Sequence, residues 1–105
     1  MNVVWSIRAN KEWKSVALYI YNEFGKKAVE DYLEKTKYWE RKLMQFPECG
    51  SPESLLSDKQ INYRSLIISK HSKIIYYIKK DVVYISDVWD MRRNPQVLAN
   101  RIRTK

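Results

Sequence analysis

The stretch Asn62–Pro95 reads NYRSLIISKHSKIIYYIKKDVVYISDVWDMRRNP. Three short runs rich in Ile, Val and Tyr are separated by SKHS and KKD, polar breaks of turn length. β-Branched and aromatic residues fit a pleated, half-buried surface, so the stretch predicts three consecutive antiparallel strands, at about residues 61–68, 73–78 and 82–89. In the first of them Arg64, Leu66 and Ile68 alternate with Tyr63, Ser65 and Ile67, which places the two sets on opposite faces. Beyond the third run, residues 94–102 predict a short last turn or helix, with Arg101, Arg103 and Lys105 exposed.

Upstream of this meander the pattern changes period. Residues 3–7 predict a first strand, and Asn10 is a plausible N-cap for a helix. Trp13, Val16, Ala17, Ile20, Tyr21 and Phe24 then recur at the three-four spacing of one buried stripe. Gly25 supplies the positive φ that ends a helix. A second helix is expected over residues 27–46, about 30 Å long at about 1.5 Å per residue, and Pro47 stops it. Its inner side carries Ala28, Val29, Tyr32, Leu33, Thr36, Trp39, Leu43 and Phe46. Trp13, Ile20, Leu33 and Leu43 are the expected centre of the core. Residues 48–60, ECGSPESLLSDKQ, form an irregular crossing that Leu55 and Leu56 pin to the core. The fold class is therefore α+β: an N-terminal strand and an antiparallel two-helix hairpin packed on a small antiparallel sheet that the meander completes. With 105 residues, a single domain spanning 1–105 is expected.

The charge is unevenly placed. Residues 1–58 hold nine Lys/Arg and nine Asp/Glu, whereas 59–105 hold eleven against three, so the formal +8 belongs to the second half. Such a field suits polyanionic or acidic partners. Arg64, Arg92 and Arg93 are the candidate functional basic surface, supported by Lys59, Lys70 and Lys73, because the guanidinium fork binds phosphate or carboxylate bidentately. The bland reading is that Arg92 and Arg93 solvate a strand end or pair with Asp87, Asp90 or the C-terminus. His71, the sole histidine, reads first as a hairpin-turn residue; with Tyr63 it is a weak acid-base or stacking candidate. Cys49 is alone, so no intrachain disulfide forms, and it reads as an ordinary loop cysteine. No HExxH, EF-hand or paired CxxC pattern and no glycine-rich phosphate cradle occurs, so no metal or nucleotide cofactor is implied. No apolar run approaches the ~18 residues of a membrane span and no signal-peptide stretch opens the chain, so a cytoplasmic protein is expected.

The initial Trp-bearing strand, the AxxxYL of the second helix (AVEDYL, residues 28–33) and its closing FP, the basic Tyr63–Arg64 strand and the terminal WDMRRNP element together resemble the RelE/ParE superfamily of toxins. The resemblance spans almost the whole chain, and its final element is the most specific. It implies the toxin component of a type II toxin–antitoxin, or plasmid-stabilisation, system, with a cognate antitoxin whose acidic C-terminal segment wraps the toxin. It also matches Arg64 to the recurring arginine of the second strand, and Arg92 and Arg93 to the basic end of the last. Two branches then compete. RelE-like members cut mRNA on the ribosome without a metal, and there Arg64 is the phosphate-stabilising candidate. ParE-like members bind and inhibit DNA gyrase and need no hydrolytic centre. Asp90 stands where related toxins often carry histidine, and the tail NPQVLANRIRTK lacks the late tyrosine or histidine of RelE-type catalysis. Both departures favour the ParE-like branch. A family-independent alternative is a small basic RNA-binding module.

Overall fold

In the computed structural model, which describes residues 1–102, the chain runs β1 (Asn2–Trp5), α1 (Ile7–Phe24), α2 (Lys26–Gln45), β2 (Ser51–Pro52), a 3-10 turn (Ser54–Leu56), β3 (Arg64–Ser69), β4 (Ser72–Lys79), β5 (Val82–Asp90) and α3 (Pro95–Asn100). The expected α+β architecture is present, with a five-stranded sheet in the order β1-β5-β4-β3-β2. The sheet is mixed, because β1 lies parallel to β5 while every other pair is antiparallel.

The first strand ends sooner, and the first helix starts earlier, than the sequence reading placed them. Ser6, not Asn10, is the N-cap: its backbone is extended and its Oγ accepts the N–H of Ala9 at 2.9 Å. Ser6 also donates its N–H to the Ile85 carbonyl and its hydroxyl to the Ser86 carbonyl, both at 2.9 Å, so the cap is built against β5. Gly25, at φ +92°, ends α1, and α2 starts one residue sooner and stops one residue sooner than expected, with Phe46 as its C-cap. The sheet-facing line of α1 is Ala9, Val16 and Ile20. Tyr21 is about 100° round the helix from Ile20, and Phe24, in the last turn, meets His71 rather than the sheet, so both are exposed. On α2 the buried line is Tyr32, Thr36 and Leu43. Leu33 is the same angular step away from Tyr32 and is 38 % exposed, which removes it from the expected core.

The crossing segment contains more order than its composition suggests. Ser51 and Pro52 pair with Ser65 and Arg64. A side chain at Gly50 would place its Cβ 2.6 Å from the Ser65 carbonyl oxygen, so only glycine lets the chain approach there. Leu56 is buried as expected, whereas Leu55 is exposed. β3 begins at Arg64 and not at Ile61, because the Tyr63 N–H turns back to the Ile61 carbonyl at 3.1 Å. The remaining strand ends differ from expectation by at most one residue, and β5 starts at Val82 as expected.

Strand β5 carries an extra residue. Ile75 pairs with Asp87 and Tyr76 with Ile85, so Ser86 has no partner on β4. This bulge reverses the alternation. Val83 and Ile85 before it, and Val88 after it, all face the helical hairpin and pack with Ile74, Tyr76, Leu66 and Ile68. Trp89 falls on the opposite face, where Ile75, Tyr63, Leu56 and the α3 residues Leu98 and Ala99 form a second apolar cluster. Asp87, fully buried, receives the side-on fork of Arg101 at 2.8 and 2.7 Å, the Trp89 indole N–H at 3.2 Å and the Val88 N–H at 2.8 Å. Arg101 is therefore not the exposed residue that the sequence reading expected; it fastens α3 to the sheet. Arg103 and Lys105 lie outside the described residues.

These placements have measurable consequences. Leu43→Ala is expected to cost about 2–5 kcal/mol of unfolding free energy, and Leu33→Ala much less, on the order of 1 kcal/mol. Urea midpoints of the two variants check the order; equal midpoints would contradict the rotation of α2. Burial drives the Tyr32 phenol up to about 12, and its bond to Ser72 at 2.6 Å only partly opposes this. A folded-state value above the unfolded one means that this contribution is complete below about pH 10 and is lost as pH rises from about 10 to about 12, on the order of 2–3 kcal/mol. Tyr32→Phe should flatten the alkaline fall in stability, leaving the smaller part due to Tyr63 and Tyr76, which burial shifts in the same direction. An unchanged alkaline slope in that variant would remove Tyr32 as its source.

Candidate functional site

The basic residues singled out in the sequence occupy three places. Arg64, at the start of β3, stands opposite Tyr76. Its Nη1 donates to the Gly50 carbonyl at 2.6 Å and its Nη2 lies 3.6 Å from Glu48. The Tyr76 hydroxyl donates to the Pro47 carbonyl at 2.7 Å and accepts the Gly50 N–H at 2.9 Å. Arg64 and Tyr76 together hold the segment that follows α2. The exposed Cys49 belongs to this segment.

Lys73 lies on the sheet face opposite the helical hairpin. Its Nζ donates to Glu53 at 2.5 Å and sits 5.1 Å from the centre of the Trp89 ring. Glu53 is buried and also accepts the Leu55 N–H at 3.1 Å. Burial works against its charge, but the bonds from Lys73, Leu55 and Ser65 outweigh that and hold its carboxyl below the usual range. A groove of about 540 Å³ runs alongside, lined by Trp39, Cys49, Ser54, Ile67, Lys73 and Met91. Tyr63 is buried, edge-on to Tyr77, which in turn stacks on Tyr84.

The third place is the end of β5. Asp90 receives the Arg92 backbone N–H at 3.0 Å, its Nε at 3.0 Å and its Nη2 at 2.6 Å. The guanidinium lies 3.6 Å from the centre of the Tyr19 ring on α1. Asp90 is buried, which opposes its charge, yet the Arg92 bonds hold its carboxyl below the ordinary range and raise the guanidinium in return. His71 lies edge-on to Tyr19 and tilted against Phe24, with Lys70 over the outer ring. Burial, then Lys70 and Arg92, push the imidazole down, so it is largely neutral at pH 7. Arg93 reaches Glu12 on α1 at 3.7 Å.

The structure thus brings Lys70, His71 and Arg92 together and leaves Arg64 and Lys73 elsewhere. Arg64 is opposite Tyr76 and Asp90 is opposite Ser72, four positions along β4 and so roughly 13 Å apart in that direction. Sequence reasoning missed two contributors, Tyr19 and Glu53, and foresaw a third, since the bland reading that paired Arg92 with Asp90 is the one the structure realises. Tyr19 left no signal, since it lies off the expected stripe of α1. Glu53 was hidden in the crossing segment. The signal for Asp90 is local: an Asp whose carboxylate accepts the N–H of the residue two positions on, Arg92, forms an Asx turn. Among the described residues no three His, Cys, Asp or Glu side chains gather as metal ligands, and no helix is long and apolar enough to cross a membrane.

Comparison with known proteins gives consistent likenesses. The fold matches the chromosomal ParDE TA system from P. aeruginosa with a TM-score of 0.68 at 13 % identity, covering 86 % of this chain and 95 % of that one. It matches the YoeB/ParE toxin from Agrobacterium tumefaciens at 0.59 and 17 %, covering 86 % and 98 %. A heterotetrameric YoeB-YefM toxin-antitoxin complex from Staphylococcus aureus matches at 0.54 and 18 %, covering 83 % and 92 %. No curated protein matches the sequence. The family described as the ParE toxin of the type II toxin-antitoxin system parDE matches residues 3–95, nearly the full length, and the chain belongs to that family.

Proposed function

We propose that this chain, acting as one cytoplasmic domain over residues 1–105, is a type II toxin that inhibits DNA gyrase by binding it and is neutralised by a cognate antitoxin. The observation that carries the gyrase reading is the cover on the sheet. Leu98 and Ala99 of α3 pack over Trp89 and Ile75, and the Asp87–Arg101 pair holds α3 in place. Metal-free RNA cleavage asks for concentrated positive charge beside a poised proton donor. Here the basic groups are tied singly to carboxylates, Arg64 to Glu48, Lys73 to Glu53 and Arg92 to Asp90, and His71 lies with the last of these, away from Arg64. A protein ligand needs no such pair. One observation favours the ribosome-dependent ribonuclease as a second reading: Glu53 and Lys73 form an acid-base couple opposite the helices, on a fold shared with YoeB toxins.

Gyrase supercoiling and translating-ribosome cleavage assays separate the two. The unmodified chain should inhibit supercoiling, and Arg92→Ala/Arg93→Ala should lose about tenfold or more of that inhibition, the scale of a hot-spot arginine. Arg64→Ala, checked for folding, should lose less if it mainly holds the segment after α2. Codon-phased mRNA cuts with no effect on gyrase would instead promote the ribonuclease, and loss of those cuts in Glu53→Gln would place its acid-base couple.

The antitoxin is expected to present an acidic and apolar segment. Carboxylates complement the excess of basic residues after Asp58, and the outer edge of β3 beyond its two-residue pairing with β2 offers unpaired backbone. Co-expression with the product of the neighbouring small gene should yield a copurifying complex and relieve growth arrest; failure of any neighbour to do either would defeat the assignment.

A further inference from the structure

The geometry points to Arg92 as a carboxylate-binding fork, preset by Asp90 and Tyr19, for an acidic protein segment that docks between the helical hairpin and the β3–β4 turn. The inference deepens the reading of the chain as a protein ligand and rests on it only for the identity of the partner.

A guanidinium has five N–H donors and two edges that take a carboxylate bidentately. Asp90 occupies the side edge of Arg92, with Oδ1 on Nε at 3.0 Å and Oδ2 on Nη2 at 2.6 Å. Among the described residues Nη1 and the outer N–H of Nη2 meet no acceptor, and the side chain is 50 % exposed. The end edge is therefore presented outward. Its plane is fixed as well, since the Tyr19 ring lies 3.6 Å beneath it. An arginine on a flexible stem must be ordered when it binds; this one is ordered beforehand.

The surroundings select the kind of anion. His71, which lies against Tyr19, also lines a cleft of about 500 Å³ together with the buried Ile20 and Tyr32, the exposed Phe24, and Lys35 and Lys70. That volume suits one or two side chains. Phe24 is more than half exposed, with Lys70 5.9 Å from its ring centre and His71 against it. Negative groups are present too: Asp90 itself, Asp31 in the cleft paired to Lys35 at 3.1 Å, and Glu23, which lies close enough to act on Arg92. These repel a continuous run of phosphates more than they repel one carboxylate beside an apolar side chain. A nucleic acid is thus the less suited occupant.

The test turns on a sign. Asp90→Asn removes a negative charge beside an anion site, so charge alone predicts tighter binding of an acidic ligand, whereas loss of the preset fork predicts weaker binding. Tyr19→Leu changes no charge and removes only the support of the plane. The probe is a short capped peptide of glutamates around one central phenylalanine, titrated into the isotope-labelled full chain by NMR, with an all-glutamate peptide and an oligothymidylate as controls. Expected are shifts at the Arg92 guanidinium, Phe24 and Lys70, tighter binding of the phenylalanine peptide than of either control, and affinity lowered about three- to tenfold in both variants, the scale of ordering one long side chain. Arg92→Lys, which keeps the charge without the fork, should fall similarly. Amide spectra of each variant establish folding, and the charge-neutral Tyr19→Leu keeps the test decisive should Asp90→Asn unfold. Equal or tighter binding by Asp90→Asn or by Tyr19→Leu, shifts centred on Arg64 or Lys73, or preference for the oligothymidylate would overturn the inference. If the peptide behaves as expected but the unmodified chain leaves gyrase untouched, the gyrase reading falls and the fork stands. If gyrase inhibition depends on Arg92 but not on Asp90 or Tyr19, the reverse holds.

Discussion

Strand β5 must serve two apolar layers with one backbone, and the unpaired Ser86 is how it does so. Side chains on a strand alternate strictly, so without the bulge Asp87 and Trp89 would follow Val83 and Ile85 beneath the helices. A carboxylate there would be buried among apolar side chains, at a cost of several kcal/mol. With the extra residue, Val88 continues the helical face and Asp87 turns to the other, where Arg101 meets it. The position of α3, and the placement of Asp90 back on the helix side beneath Arg92, follow from the same phase change.

The basic half of the sequence does not produce an open field of charge. Each of Arg64, Lys73, Arg92, Arg93 and Arg101 has a carboxylate within 4 Å, so these cations are individually paired while the net +8 stays with the others. Where the acid is exposed, as in Arg64–Glu48, such a pair adds little stability. The effect of the pairs is orientation: the acid determines which edge of each cation is spent and which is presented. A surface of this type discriminates by geometry, and its affinity for partners depends less on total charge than the composition suggests.

The meander, the helical hairpin and the family were legible in residues 62–95 and in the spacing of Val16, Ile20, Tyr32 and Leu43, because period and turn chemistry are local properties. Leu33 shows the limit of that reading. A stripe wide enough to include both Tyr32 and Leu33 cannot say which side of it the sheet will cover; the packing of Trp13 on Tyr32, ring against ring at 5.3 Å, settles the rotation. The N-cap was misplaced for a similar reason: Ser6 and Asn10 are both competent, and Ser6 prevails because Ile85 and Ser86, distant in sequence, hold its backbone and hydroxyl. The site suffered most. Its clamps join residues from α1, the crossing segment and strand ends, and only the Asp90–Arg92 turn is short enough to be read from adjacent letters.

The parallel pairing of β1 with β5 carries a consequence for the order in which the molecule is made. Synthesis delivers β1 and both helices first, and these can form the hairpin by local contacts alone. The Ser6 hydroxyl, however, finds its acceptor 80 residues later, at Ser86. Until β5 has emerged, β1 has no neighbour in the sheet and the hairpin lacks the strand that joins β1 to the rest of its floor. The closing contact of the fold, the seam between the first strand and the last, therefore coincides with the arrival of Asp90 and Arg92, so that an incompletely synthesised chain carries neither a finished sheet nor the arginines at its end.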